Sequence, residues 1–178
     1  MAKAAPGKSA AKKAAIPKKK ATPKKKAAAK PVVVKTKIKE GKPLIKYSDK
    51  SAGQPAELVT IWEKIRDLLL PYEKGAMKVH GGTGGQITLI HHKPFELMGK
   101  IRPELWFAGA LIQKGYVGFY FMPAYGEDKL TDMFQPELLK CLKGKSCFHI
   151  KKDDPVLFKQ MKESLKKGLE AYKKRGWV

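Results

Sequence analysis

Lysine is the residue type whose number and spacing most clearly predict a chemistry in this sequence. Residues 1–39 are almost entirely Lys, Ala and Pro, with no acidic residue, no arginine and no aromatic ring. A polycationic segment binds a polyanion by releasing condensed counterions, so we expect it to neutralise phosphates. Lysine lacks the bidentate fork of arginine, which predicts non-specific contacts to the phosphate backbone of DNA. The lysines expected to make these contacts are Lys12, Lys13, Lys18, Lys19, Lys20, Lys24, Lys25, Lys26 and Lys30.

The formal net charge of +22 is unevenly distributed along the 178 residues. Residues 1–50 hold 17 lysines and two acidic residues, a surplus of +15. Residues 51–139 hold 9 basic and 10 acidic residues, a net charge of −1. Residues 140–178 hold 12 basic and 4 acidic residues, a net charge of +8. This division predicts a basic tail and linker over residues 1–50 and one folded domain over residues 51–178.

The composition of the basic tail (residues 1–50) also bears on its structure and its partner. With little apolar area to offset the entropy of ordering, it is expected to be disordered. The absence of aromatic rings from residues 1–39 removes any stacking platform for single strands, which favours duplex DNA. The competing interpretation is a solubilising or merely flexible extension.

A short repeat in the basic tail carries a first resemblance. Residues 16–21 read Ile-Pro-Lys-Lys-Lys-Ala, and residues 22–27 read Thr-Pro-Lys-Lys-Lys-Ala. This pattern resembles the tails of linker-histone-like proteins, which coat and condense DNA. The resemblance implies a non-enzymatic, nucleoid-associated protein.

Cysteine usage and hydropathy predict the compartment. Cys141 and Cys147 are too few for a disulfide scaffold, and their spacing is not that of a zinc or redox pair. No stretch has the length of a signal-peptide core or of a membrane span. We therefore expect a cytoplasmic protein with no membrane partner.

Apolar periodicity predicts the elements that position any site in the domain. A helix with Pro55 in its first turn is expected to end before Pro71, and two strands over residues 76–80 and 86–91 flank a glycine run. Residues 105–113 and 116–122 are apolar on both faces and joined by Lys114-Gly115, which predicts a hairpin buried at the centre of the sheet.

The end of the chain completes the predicted fold. Residues 146–150 are a shorter strand candidate, and Asp153 or Asp154 is expected to cap a final helix that ends at Gly176. The fold class is therefore α+β, with helices packed on a mostly antiparallel sheet in two layers. On the final helix Lys159, Lys162, Lys166 and Lys173 lie away from the apolar stripe, so they form either a solvated face or an auxiliary phosphate contact.

Two other patterns fall short of a functional site. The run Gly81 to Gly85 leads into a strand and lacks the Gly-Lys-Ser/Thr of a phosphate-binding loop, so it predicts a turn. Cys147 and His149 share a strand face, but no spacing brings in a third metal ligand or a group that orients a catalytic base. The sequence therefore predicts no metal site, no cofactor and no enzymatic activity.

A second resemblance rests on residues 117–123, which read Val-Gly-Phe-Tyr-Phe-Met-Pro, and on residues 142–152, which include Gly-Lys-Ser-Cys-Phe. These motifs, with Gly176-Trp177 at the end, resemble the YdhG-like family of bacterial domains of unknown function over residues 62–178. The resemblance implies a two-layer α+β fold. Some relatives are described as frataxin-like iron chaperones, so the alternative function is a small-ligand or metal-binding module with an incidental tail.

The family motif also suggests a pocket where the central hairpin strand leaves the sheet. Tyr120, Met122 and Tyr125 could line it with two hydroxyls and a thioether. The competing interpretation is that Phe119 and Phe121 are core residues and that the Met-Pro step simply ends the strand.

Overall fold

A computed structural model describes residues 47–126 and 129–178 of the chain. The predictions for residues 1–46, including all nine tail lysines named above, lie outside the described residues. The described chain forms an antiparallel six-stranded sheet with helices packed on it. The predicted α+β class is therefore confirmed.

The sheet has its longest strands at the centre. Strand order is β1-β2-β5-β6-β8-β7, and a separate small hairpin pairs β3 with β4. The strands are β1 (Met77–Thr83), β2 (Gln86–His91), β3 (Phe95–Leu97), β4 (Lys100–Arg102), β5 (Leu105–Gln113), β6 (Tyr116–Phe121), β7 (Leu142–Lys143) and β8 (Cys147–Ile150). The predicted central hairpin corresponds to β5 and β6, which the two-residue turn Lys114-Gly115 joins.

The glycine run forms the turn between β1 and β2. Gly84 and Gly85 both have positive φ, at 62° and 76°, a conformation in which L side chains are strained. A Cβ at Gly85 would approach Ile112 Cδ1 to 2.9 Å, and the Lys50 amide donates to the Gly84 carbonyl at 2.6 Å. The glycines thus serve a tight turn that the chain before the first helix covers.

Four helices accompany the sheet: α1 (Ala56–Leu69), α2 (Leu130–Met133), α3 (Pro136–Lys140) and α4 (Pro155–Lys174). The first predicted helix is α1, which has Pro55 as its N-cap and ends before Pro71 as expected; a short 3-10 helix, Leu70–Tyr72, which was not predicted, follows it. The cap of α4 is Asp154, whose Oδ1 accepts from the Val156 amide at 2.8 Å. Asp153 instead pairs with Lys64 of α1.

The core lies between the helices and one face of the sheet. Its centre is a cluster of fully buried rings, namely Phe107, Phe119, Phe121, Phe134 and Phe148. The buried stripes of α1 and α4 close over these rings. The interpretation of Phe119 and Phe121 as core residues is confirmed.

The opposite face of the sheet carries no helix among the described residues, and we call it the open face. The predicted central hairpin is buried over most of its length, but the Trp106 side chain is 37% exposed on the open face. The cause is a β-bulge: Leu89 pairs with Ala108 but Ile90 pairs with Trp106. The extra residue, Phe107, lies in the core, and Trp106 is directed to the open face.

Candidate binding site on the open sheet face

Strand register defines which side chains share the open face, because directly opposed residues of neighbouring strands lie on one side of the sheet. Two rows cross its centre. The first row is His80, Thr88, Gly109, Tyr120, Cys147 and Lys143. The second is Gln86, Leu111, Gly118 and His149. Lys78, Trp106, Gln113 and Tyr116 extend this pattern toward the strand ends.

A pocket of about 280 Å³ opens above Gly109 in the middle of this face. Gly109 has no side chain to fill this space, and a Cβ at this position would come to 2.9 Å from the Ile87 carbonyl oxygen. The lining is mostly apolar with few polar groups, which is the composition of small-molecule and base-binding sites. It comprises Gln86, Ile87, Thr88, Trp106, Ala108, Gly109, Ala110, Leu111, Tyr120 and Met122.

The Gln113 side chain fixes one wall of the pocket. Its Nε2 donates to the Tyr120 hydroxyl at 2.5 Å, and its Oε1 accepts from the Tyr116 hydroxyl. The Tyr116 ring stacks on His149 with centroids 3.8 Å apart and planes at 15°. The Tyr120 ring lies across Gly118, where an added Cβ would meet ring atoms at 3.0 to 3.3 Å. The rings on this side are therefore held in place before any ligand binds.

Burial keeps the phenol and the thiol on this wall uncharged at neutral pH. It raises the pKa of Tyr120, and the neighbouring Cys147 raises it further. Burial also raises the pKa of the Cys147 thiol, although the Tyr120 hydroxyl partly opposes the shift. A thiol with a raised pKa is a poor nucleophile. This part of the face is suited to binding rather than to covalent catalysis.

A chain of polar side chains anchors Trp106 at the other end of the pocket. Trp106 Nε1 donates to Glu104 Oε1 at 3.4 Å, and Glu104 Oε2 lies 3.6 Å from His92 Nδ1. His92 Nε2 in turn shares a hydrogen bond of 2.6 Å with His80 Nε2. Burial, with the neighbouring His92, lowers the pKa of His80. The short contact requires at least one of the two rings to be neutral, because one Nε2 must accept.

One polar atom of the pocket lacks a partner. Gln86 Oε1 is buried, and no donor lies within hydrogen-bonding distance in the described part of the chain. A buried acceptor without a donor costs on the order of 1–3 kcal/mol, and such atoms are rare in folded proteins. The Gln86 amide is therefore a group of the pocket lining whose hydrogen-bonding capacity the described residues leave unused.

The structure brings two of the three predicted pocket residues together. Tyr120 and Met122 line the pocket, whereas Tyr125 does not. Tyr125 is 58% exposed beyond the end of β6, with Lys145 Nζ 5.8 Å from its ring centroid. The four predicted α4 lysines, Lys159, Lys162, Lys166 and Lys173, are all exposed.

The Cys and His side chains considered as metal ligands lie at separate places on the sheet. Cys147 and His149 share the open face, but His149 stacks on Tyr116, and Cys147 lies beside Tyr120. His91 is buried on the opposite side of the sheet from exposed His92. Among residues 47–126 and 129–178, no group of three His, Cys, Asp or Glu side chains could hold a metal ion.

Sequence reasoning missed most of the site, namely Gln86, Thr88 and Trp106 in the pocket and Gln113 and Tyr116 beside it. An alternating polar pattern was available in Gln86 and Thr88, two residues apart on β2. Trp106 gave no such signal, because it stands in an otherwise apolar strand and reaches the open face only through the bulge.

No family model, curated protein or solved structure matches the chain. The resemblance to the YdhG-like family therefore stays a prediction. In the described residues, no helix has both the length and the apolar character needed to span a membrane.

Proposed function

We propose that the protein is a non-enzymatic, nucleoid-associated DNA-binding protein whose basic tail contacts phosphates without sequence preference. The observation that carries the proposal is the run of residues 1–39, in which lysines occur without a single acidic residue. Each phosphate neutralised releases condensed counterions, which favours binding at low and moderate salt. The domain of residues 51–178 anchors this tail and offers a second surface.

The exposed face of α4 supports the proposal from the folded part of the chain. Lys159, Lys162, Lys166 and Lys173 are spaced by three, four and seven residues, so they follow one stripe of the helix. The stripe is about 21 Å long at 1.5 Å per residue. Among the described residues, no carboxylate lies within 4 Å of these four ammonium groups. The stripe is free to meet phosphates.

Salt-dependent binding of the full-length protein to duplex DNA tests this proposal. In the tail variant Lys18, Lys19, Lys20, Lys24, Lys25 and Lys26 become Gln. In the matched control, six exposed domain lysines become Gln, namely Lys74, Lys93, Lys100, Lys114, Lys151 and Lys152. The quantity compared is the slope of the logarithm of the binding constant against the logarithm of the salt concentration, which we call the salt slope. Its magnitude falls by about 0.9 for each phosphate that is no longer neutralised. The salt slope of the tail variant should therefore fall by several units and that of the control by little. Equal reductions in both variants would contradict a tail-specific role.

The pocket supports a second candidate, a binding module for a small planar organic molecule. The specific observation is a pocket of about 280 Å³, just below the usual range for small-molecule sites, whose lining includes Trp106 and the unpartnered Gln86 side chain. Iron delivery, described for some YdhG-like proteins, gains no support from the described residues, since none of their acidic and His or Cys groups form a metal cluster. Equilibrium dialysis against ferrous iron tests that alternative, and binding near stoichiometry would favour it.

A further inference from the structure

We propose that the open face binds unpaired bases of a single-stranded nucleic acid, with one base held in the pocket above Gly109. The inference rests on the proposed nucleic-acid function and extends it, because the basic tail by itself favours duplex. The basic tail contacts the phosphates of single strands and of duplexes alike, and the open face distinguishes the two.

Aromatic rings on an antiparallel sheet are the first support. Trp106 is 37% exposed at the pocket, and the stacked pair of Tyr116 and His149 lies further along the same face. Flat side chains on an uncovered sheet stack unpaired bases, which splay out of a single strand and not out of a duplex. The Gln113 hydrogen bonds hold Tyr116 and Tyr120 in place, so little ordering remains to be done on binding.

The charge of the sheet is the second support. The six strands contain no acidic residue, while Lys78 on β1 and Lys143 on β7 stand at its two edges. Glu104 lies beside Trp106 of the pocket, and its oxygens are directed to the Trp106 indole and to His92. A phosphate backbone crossing the strands would therefore meet ammonium groups at both edges and neutral groups between them.

The Gln86 side chain supplies a hydrogen-bonding group for a base. Gln86 lines the same pocket as Trp106, and its Oε1 is a buried acceptor with no donor among the described residues, which a base reaches once the amide turns toward the pocket. The exocyclic amino and ring imide groups of bases are N–H donors. In a duplex these donors are engaged in base pairing, and only an unpaired base can turn them toward a protein side chain.

Tyr47 adds an aromatic ring beside the pocket row. It packs against Gly81, and its hydroxyl lies near Thr88, although the two do not form a hydrogen bond of ordinary geometry.

Fluorescence anisotropy of the full-length protein tests the inference with three labelled probes of about 12 nucleotides. The probes are a single strand, the same sequence as a duplex, and a single strand with abasic sites in place of bases. Trp106→Ala should weaken single-strand binding about tenfold and leave duplex and abasic binding unchanged, because it removes one stacked base. Trp106→Phe should retain most single-strand affinity. Met98→Ala, at a residue 94% exposed on the β3–β4 hairpin, is the matched control and should change nothing.

Indole fluorescence of the unsubstituted protein gives a readout independent of any variant's folding. Single strands should quench it, duplex should quench it less, and Trp106→Phe should abolish the difference. Unchanged single-strand affinity in Trp106→Ala together with equal quenching by all three probes would overturn the inference while leaving the tail proposal intact. Failure of the unsubstituted protein to bind any probe would instead overturn the proposed function.

Competition with free adenosine, a planar heterocycle without a polyanionic backbone, separates a strand from a small molecule as the occupant of the pocket. Adenosine should compete only for the pocket, so at saturation it should lower single-strand affinity to about that of Trp106→Ala without releasing the strand, because it makes no contact with the basic tail. Full displacement by adenosine, with no preference for single strands, would assign the pocket to a small molecule and overturn the inference.

Discussion

Gly168 of α4 lies directly against the Phe121 ring of β6, so close that a Cβ at this position would stand 2.3 Å from Phe121 Cζ. The glycine lets the final helix approach the sheet over the most buried ring cluster. Gly168→Ala would gain about 1 kcal/mol of helix propensity but would force Phe121 and Pro123 to move, and overpacking costs about 1–3 kcal/mol. Because 2.3 Å is far below contact distance, the cost should lie at the upper end of that range, and we expect a net loss of about 2 kcal/mol in the free energy of unfolding by denaturant titration.

Lys166→Ala is the control for this substitution, since it places alanine two residues away on the exposed side of the same helix. Its effect on the free energy of unfolding should stay within about 0.5 kcal/mol. If Gly168→Ala proved as stable as the parent protein, the helix would not be held by this contact.

Much of the fold could be predicted from sequence because its elements carry strong local signals. The apolar period of three and four over α1 and α4 specifies which faces are buried, and Lys114-Gly115 between two β-rich runs specifies a hairpin. The β3–β4 hairpin was not predicted. Its strands have three residues each, too few for a period to be recognised.

The site was less predictable because it depends on features that no local pattern encodes. Both long helices pack on one side of the sheet, and sequence alone does not say which side of a uniformly apolar strand they cover. The bulge that directs Trp106 to the open face depends on the pairing of β5 with β2. Tyr120 and Met122 were identified through a motif, whereas Gln113 matters only because its amide joins two tyrosines.

The α4 cap gives a prediction that separates two adjacent carboxylates. Asp154→Ala removes the acceptor of the Val156 amide and should cost about 0.5–2 kcal/mol in the free energy of unfolding. Asp153→Ala removes only its ion pair with Lys64, which is partly exposed, so the cost should be about 0–1 kcal/mol. Chemical denaturation of both variants checks the order, and a larger loss from Asp153→Ala would contradict the assignment of the cap.

Because His80 on the open face is held neutral, we expect the folded protein to lose stability in mild acid. Burial and His92 lower the pKa of His80 below 6.5, although Glu104 and Glu73 partly oppose the shift. Below that pH the unfolded chain takes up the proton more readily than the folded protein, so stability is present above pH 6.5 and falls as pH drops through the folded pKa.

Thermal melts from about pH 7.5 to about pH 5 measure this dependence. His80→Gln keeps a side chain that can hydrogen-bond His92 but cannot titrate, so the decline should become shallower. Part of the decline should remain, because burial also lowers the pKa of His91. A pH profile identical to that of the parent protein would show that His80 is not held neutral.

The lysine stripe of α4 predicts a measurable but secondary contribution to duplex binding. Changing Lys159, Lys162, Lys166 and Lys173 to Gln in the full-length protein should lower the salt slope by about 0.9 for each phosphate that the stripe neutralises. The matched control changes four exposed lysines elsewhere, Lys74, Lys93, Lys100 and Lys114. Anisotropy titrations at a series of salt concentrations compare the two. If the stripe only solvates the helix, both variants give the same slope, whereas a phosphate contact lowers the slope of the α4 variant alone and adds to the reduction caused by the tail substitutions.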